Sequence, residues 1–291
     1  MAPTRRRTRK TKSRPAKRAK PARRPASKAR TKRSASKVPA PRRKPPARRT
    51  AVTRRSKTPP ASGPAGPSRA APQAGQARRP LRIALFGAGG MVGSRILAEA
   101  VARGHAVTAI QRHPFPARSP LVRPEAGDVT DAAAVARLLR GHHAAVSAVA
   151  PPAGDVRMLS EVARNLLAAA RTTGVRRLVV VGGAGSLEVA PGLALVDTPA
   201  FPENWKWIGN AHREALAVYR AEGKGVDWTF VSPPAMLTPG SRSGAYRVGA
   251  DQLLKDGKGA SAISAEDYAV AVMDEVEHGR YKGRRMTVAS A

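Results

Sequence analysis

The stretch from Leu81 to Ile110 constrains the fold of this chain more than any other. Leu81 to Phe86 reads Leu-Arg-Ile-Ala-Leu-Phe, a short apolar run of the buried parallel-strand kind. It is followed by Gly87-Ala88-Gly89-Gly90-Met91-Val92-Gly93, a helical pattern through Ala102, the helix stop Arg103-Gly104-His105 and a second apolar run, Ala106 to Ile110. Strand, glycine turn, helix and strand in that order predict a βαβ unit. In such a unit the unpaired turn amides and the positive end of the helix dipole both favour a pyrophosphate. Glycine is needed where a Cβ would block the phosphate or the helix–strand contact.

The alternation continues. Helices are predicted over Thr130 to Leu139, Asp155 to Thr172 and Glu203 to Ala221. Strands are predicted at Ala145 to Ala150, Arg177 to Val181 and Trp228 to Val231. Together they predict an α/β doubly wound parallel sheet, the NAD(P)-binding Rossmann arrangement, over residues 81–291. The fifth strand ends in Gly182-Gly183-Ala184-Gly185-Ser186-Leu187, a turn expected to allow close approach by a nicotinamide or substrate.

Charge divides the chain. The net charge is +34, and residues 1–80 hold 28 Lys and Arg with no Asp or Glu. Besides alanine and proline, their apolar residues are Met1, Val38 and Val52, too few to offset chain entropy. Residues 1–80 are therefore expected to be a disordered basic tail, with 61–80 as linker. Residues 1–60 resemble linker-histone and bacterial histone-like tails in composition and predict nonspecific contact with nucleic acid or another polyanion, weakening steeply with salt. A solubilising linker, attachment to RNA or anionic surfaces, and an upstream start codon are the competing explanations. With no cysteine, disulfides, thiolate zinc sites and cysteine nucleophiles are excluded. His142 and His143 are adjacent, so they point to opposite faces and are expected at the surface; no metal site is predicted. No membrane span or secretory signal is recognisable, so the cytoplasm is the expected location, with the tail allowing nucleoid association.

The spacing of Gly87, Gly90 and Gly93 is GxxGxxG, and with this turn nearly all of Leu81 to Ala291 resembles the extended and atypical short-chain dehydrogenases, including their NmrA-like and flavin-reductase-like NAD(P)H-binding relatives. That resemblance implies a dinucleotide with its pyrophosphate on Gly87, Gly90, Met91, Val92 and Gly93, and its adenine beside Asp128 and Val129. Ala148 and Ala150 would then lie on the ribose and nicotinamide side. It also implies a small C-terminal cap on the substrate side, built from short strands within Gly244 to Ser264, a helix at Glu266 to Glu277 and a strand at Arg285 to Ala289. The second strand ends in Gln111-Arg112-His113 with no acid to accept ribose hydroxyls, which favours NADP(H) over NAD(H) with Arg112 on the 2′-phosphate. A solvated Arg112 and a purely turn-forming Asp128 are the plainer alternatives.

The family's usual acid is a tyrosine with a lysine four residues later. None of Tyr219, Tyr246, Tyr268 and Tyr281 has that partner. Ser186 is the positional match for the family's serine, and Lys206 is the nearest cation for a nicotinamide ribose or an anionic substrate; a turn hydroxyl and a solvated charge compete with these roles. Asp251 and Gln252 are further candidates for substrate contact, and Ser264 with Asp267 reads as a helix cap close to a capping box. The expected function is an NADPH-dependent reductase of a small quinone, flavin or carbonyl compound. The alternatives are an NADP(H)-sensing regulator or scaffold without chemistry and a nucleotide-sugar epimerase or dehydratase.

Overall fold

The computed structural model describes residues 68–70 and 79–291. Expectations for 1–67 and 71–78 lie outside the described residues. The strands are β1 (Ser68–Ala70), β2 (Arg82–Phe86), β3 (Ala106–Gln111), β4 (Val122–Ala126), β5 (Ala144–Ser147), β6 (Arg177–Val181), β7 (Glu188–Ala190), β8 (Leu193–Ala194), β9 (Trp228–Ser232), β10 (Met236–Thr238), β11 (Tyr246–Gly249), β12 (Ala262–Ser264) and β13 (Arg284–Ser290). The helices are α1 (Met91–Ala102), α2 (Ala132–Leu139), α3 (Met158–Thr173), α4 (Lys206–Glu222) and α5 (Ala265–His278).

Nine strands form one sheet in the order β1-β11-β13-β9-β6-β5-β2-β3-β4. The seven from β4 to β13 are parallel; β11 and then β1 add antiparallel at the far edge. Chain order reverses between β2 and β5, so the crevice at their carboxyl ends is the place for a ligand. Strand alternation builds two cores. Ile83, Leu85, Val146, Val179 and Val231 face α1 and α5, whereas Ala84, Phe86, Ala145, Leu178 and Phe230 face α2, α3 and α4. Both faces being covered explains why these strands read as unbroken apolar runs. Pro124 is tolerated in β4 because β4 is the edge strand beyond β3.

The C-terminal helix and last strand lie in the main layers rather than in the expected cap. β13 pairs parallel with β9, and α5 packs beside α1 on the sheet. The cause is burial: β13 is buried from Arg285 to Ala289, and α5 buries Tyr268, Val272 and Met273. Arg177 at the start of β6 donates to the Glu275 carboxylate, and Thr229 Oγ1 adds a hydrogen bond to Glu275 Oε1 at 2.8 Å, which fastens α5 to the sheet. The capping expectation for α5 is met in part. Ser264 Oγ accepts from Asp267 N at 3.0 Å, but the Asp267 carboxylate accepts from the Ser243 and Gly244 amides at 2.8 and 2.7 Å and so anchors the preceding loop instead of closing a box. His142, expected at the surface, is half-buried on Thr108 Oγ1 at 2.8 Å.

Within the expected linker, Ser68–Ala70 forms the edge strand on β11. The short β7–β8 hairpin and the β10–β12 pair follow β6 and β9 and sit at the carboxyl side of the sheet. No helix among the described residues is long and apolar enough to cross a membrane.

Candidate functional site: a dinucleotide crevice

The glycine turn is built by backbone-on-backbone contact. Gly87, at φ +77°, donates to Ile110 O at 3.0 Å, and a Cβ there would stand 2.5 Å from Ala148 O. A Cβ on Gly93 would stand 2.0 Å from Gly87 O, so α1 approaches the end of β2 only because Gly93 has none. Gly90 is different: its nearest contact would be 3.4 Å, and it serves as the N-cap of α1 with φ −71° and ψ 170°. No side chain caps α1 and its first turn carries no acid, leaving the leading amides at Met91 and Val92 uncapped by side chains. Gly89, Gly90 and Met91 are exposed, Met91 at 43%. A cradle that a Cβ would fill, beside an uncapped helix N-terminus, fits a dinucleotide diphosphate.

Arg112, just after β3, is exposed and has no hydrogen bond or ion pair among the described residues. Asp128 Oδ1 accepts from Thr130 N and Oγ1 at 2.9 and 2.7 Å; these bonds, with Arg112 nearby, hold the carboxyl below its usual range. The N-cap of α2 is Asp131, which accepts from Ala133 and Ala134, so Asp128 is a turn residue three positions before the cap. Val129 is buried under α2 and α3, and its carbonyl accepts from Asn165 Nδ2 at 3.2 Å. β5 ends at Ser147, short of the expected Ala150. Ala148 donates from its amide to Phe86 O at 2.9 Å beside the glycine turn, and Ala150 is exposed. Gly87, Gly90, Met91, Val92, Gly93 and Ala148 thus lie together at the β2–β5 switch point, with Arg112 and Asp128 at the neighbouring β3 side.

At the turn after β6 the glycines make room for other protein groups. The space a Cβ would need at Gly182 is taken by the Phe230 ring, 2.2 Å away; at Gly183 by His212, 2.8 Å away; and at Gly185 by the Gly209 backbone, 2.8 Å away. These glycines admit neighbouring side chains and helix α4. Ser186 Oγ accepts from buried Arg285 at 2.9 Å, and Arg285 in turn binds Asp251 Oδ1 at 2.8 Å, which Arg220 also contacts at 2.7 Å. Ser186 and Asp251 are therefore committed to a structural network. Lys206 opens α4 and pairs with Glu203 at 2.6 Å. Tyr219, Tyr246 and Tyr268 are buried, and burial raises each hydroxyl's pKa above its ordinary value.

Two features escaped sequence reasoning. Asp274, Glu277 and His278 bring ligand atoms within 4.8 Å of one another, but Arg103 binds Asp274 and Glu277 at 2.8 and 3.0 Å and Tyr246 donates to Asp274 at 2.5 Å, so the cluster is neutralised from within. The second is His212, on α4. Its ring meets Phe230 edge-on at 6.4 Å, and burial pushes its pKa down to about 4.

The family model described as NAD(P)H-binding matches residues 87–278, from the first glycine of the turn to the end of α5. The chain belongs to this NAD(P)H-binding family. YwnB of Bacillus subtilis, an uncharacterized protein, is 38% identical over 213 residues, covering 72% of this chain and 99% of YwnB. A solved structure from Burkholderia pseudomallei, described as a "putative exported protein", is 48% identical with a TM-score of 0.67 and covers 72% of this chain and 99% of that one. A "putative NADH-flavin reductase" from Streptococcus pneumoniae is 31% identical with a TM-score of 0.66, covering 72% and 100%. All three likenesses stop short of the full chain.

Proposed function

We propose that this NAD(P)H-binding protein is an NADPH-dependent reductase of a small quinone, flavin or carbonyl compound. The observation that carries the nucleotide reading is the contact of Gly93 with Gly87 O, which brings the bare N-terminus of α1 to the carboxyl end of β2. Gly90, Met91 and Val92 would hold the diphosphate through backbone amides, with Gly87 and Gly93 shaping the turn. Arg112 would pair with the 2′-phosphate, Asp128 and Val129 would border the adenine, and Ala148 and Ala150 would border the path toward the nicotinamide. When bound, the dihydronicotinamide supplies hydride; the protein orients it and excludes water. The reductase name of the pneumococcal relative supports the reaction class, while the uncommitted Arg112 supports NADPH over NADH.

Titration of the full-length chain with NADPH and NADH, followed by fluorescence, tests this reading. Tighter NADPH binding is expected, with Arg112→Ala lowering NADPH affinity about tenfold and leaving NADH affinity unchanged, the scale of one charge-assisted phosphate contact at an exposed site. Equal loss for both nucleotides would remove Arg112 from the phosphate.

A second reading has its own support. Ser186 is bound to Arg285, Lys206 pairs with Glu203, and three tyrosines are buried, an arrangement suited to an NADP(H)-sensing scaffold without turnover. A broad acceptor panel separates the two: NADPH binding without consumption would favour the sensor. The basic residues 1–60 are proposed to hold the protein on DNA or another polyanion, in the cytoplasm or on the nucleoid. Retention on DNA that does not weaken as salt rises would contradict that.

A further inference from the structure

A cavity of about 10 Å³, the space of one water molecule, lies among β5, β6, α3 and α4. Its walls are mostly apolar, including Val149, Leu159 and Phe230, yet Ser147, His212 and Tyr219 also line it. None of these three side chains makes a hydrogen bond among the described residues. A polar group shut away without a partner carries a desolvation cost, and a water with two to four polar partners removes it. His212 has a second aspect. Its Cδ2, Cγ and Cβ occupy the place a Cβ on Gly183 would need, beside the turn that ends β6. That turn lies at the carboxyl edge of the sheet, on the half of the crevice beyond the switch point, where the reactive end of a dinucleotide is expected.

We propose that Ser147 and Tyr219 hold one water against a ring nitrogen of His212, and that the other ring nitrogen donates its hydrogen to the oxygen of a carbonyl or quinone acceptor at the end of β6. This assignment rests on the reductase reading and supplies the electrophile that the missing tyrosine–lysine pair would have provided. Burial keeps the imidazole neutral, so it acts as a hydrogen-bond donor and not as a proton source. In the reduction of a carbonyl, hydride forms the new C–H bond and the C–O π pair moves to oxygen; in a quinone, hydride forms an O–H bond at one oxygen, the ring π pairs shift and the charge gathers on the other oxygen. The His212 N–H stabilises that oxygen until solvent delivers the proton that completes the hydroxyl; the nicotinamide is oxidised and the carbonyl reduced. His212 is then a catalytic residue, and Ser147 and Tyr219 are positioning residues that act through the water.

The test uses the full-length chain with menadione as acceptor. His212→Phe keeps a ring of similar size without the donor, and kcat should fall about 100-fold with NADPH affinity and acceptor KM within threefold of the parent, the scale of one lost oxyanion donor. His212→Gln restores an N–H donor and should recover to within about tenfold of the parent. A readout independent of turnover is the ring nitrogen NMR spectrum of His212 at neutral pH, assigned by its loss in His212→Phe. It should show one neutral tautomer, and Ser147→Ala should mix the two tautomers. An unchanged ring spectrum in Ser147→Ala, or a kcat in His212→Phe within threefold of the parent, overturns the assignment while leaving the reductase reading intact. Failure of NADPH to bind, or binding without turnover of any acceptor, removes the reductase reading and the assignment with it.

Discussion

Two glycine-rich turns stand at the carboxyl edge of one sheet and use their glycines in opposite ways. After β2, Gly87 and Gly93 let backbone meet backbone, and the result is an opening: exposed Gly89, Gly90 and Met91 at the start of an uncapped helix. After β6, Gly182, Gly183 and Gly185 let Phe230, His212 and α4 fill the space, and the result is a packed wall. Identical residues thus make a binding cradle in one place and a close-packed shelf in the other. What differs is the surroundings: the first turn runs straight into its helix within seven residues, whereas the second is followed by a hairpin and two 3₁₀ turns before α4. The second turn's partners come from far along the chain.

The largest effect should come from testing the backbone contact. Gly93→Ala places a methyl carbon 2.0 Å from Gly87 O, where no side chain exists to yield. Destabilisation of about 3 kcal/mol is expected, at the upper end for overpacking, and nucleotide binding should be lost. Gly90→Ala is the control, because its contact is 3.4 Å and its φ of −71° suits any residue. It should keep stability within about 1 kcal/mol of the parent while reducing nucleotide affinity. Thermal unfolding of both variants decides; equal losses would mean that the two glycines do the same job and that the proposed division of roles is wrong.

The turn after β6 makes a prediction in pH. His212 has a folded pKa of about 4 against an unfolded value near 6.5, caused by burial, and half-buried His142 is shifted in the same direction. Between those values the unfolded chain binds more protons, so the stabilisation is complete above about pH 6.5 and is lost as pH falls toward 4. For His212 this amounts to about 2–3 kcal/mol. Glu99 and Glu277 have lowered pKa values despite burial, which opposes the shift; hydrogen bonds and charges from Arg242, Arg103 and His105 prevail. Their contribution is present above their unfolded pKa of about 4.5 and falls away below it. Melting temperature should therefore decline from pH 6.5 downward in the parent, and His212→Gln should flatten the upper part of that decline. A flat parent profile between pH 6.5 and 5 would mean that His212 is solvated and that the wall is open.

The contrast between the turns also explains what was legible in the sequence. β2, α1 and β3 are local: apolar runs, a glycine spacing and a helix stop lie within one short stretch, so residues and geometry agree. The two-faced burial of β5, β6 and β9 was legible for the same reason. The place of α5 and β13 was not, because Arg177 meets Glu275 across 98 positions and Ser186 meets Arg285 across 99. Spacing along the chain carries no trace of such pairings, and Ser186 therefore resembled a free hydroxyl. His212 was missed for a related reason: its significance lies in Gly183 and Ser147, which no helical period connects to it. The polar atoms that the apolar pattern left unexplained, rather than the motif itself, marked the cavity.

The smallest expected effect tests whether the wall after β6 can yield. In Gly182→Ala the new methyl would lie 2.2 Å from Phe230 Cε1, a ring edge and not a fixed backbone atom. Part of the clash can be relieved by ring rotation and displacement, so a loss of about 1–2 kcal/mol is expected, less than for Gly93→Ala. The double variant Gly182→Ala with Phe230→Leu separates packing from backbone strain. If the ring is the obstacle, the two losses should add to less than their sum, with a coupling of about 1 kcal/mol. Full additivity in denaturant unfolding would place the strain in the Gly182 backbone. The second turn would then be constrained like the first, and the distinction between cradle and wall would lose its physical basis.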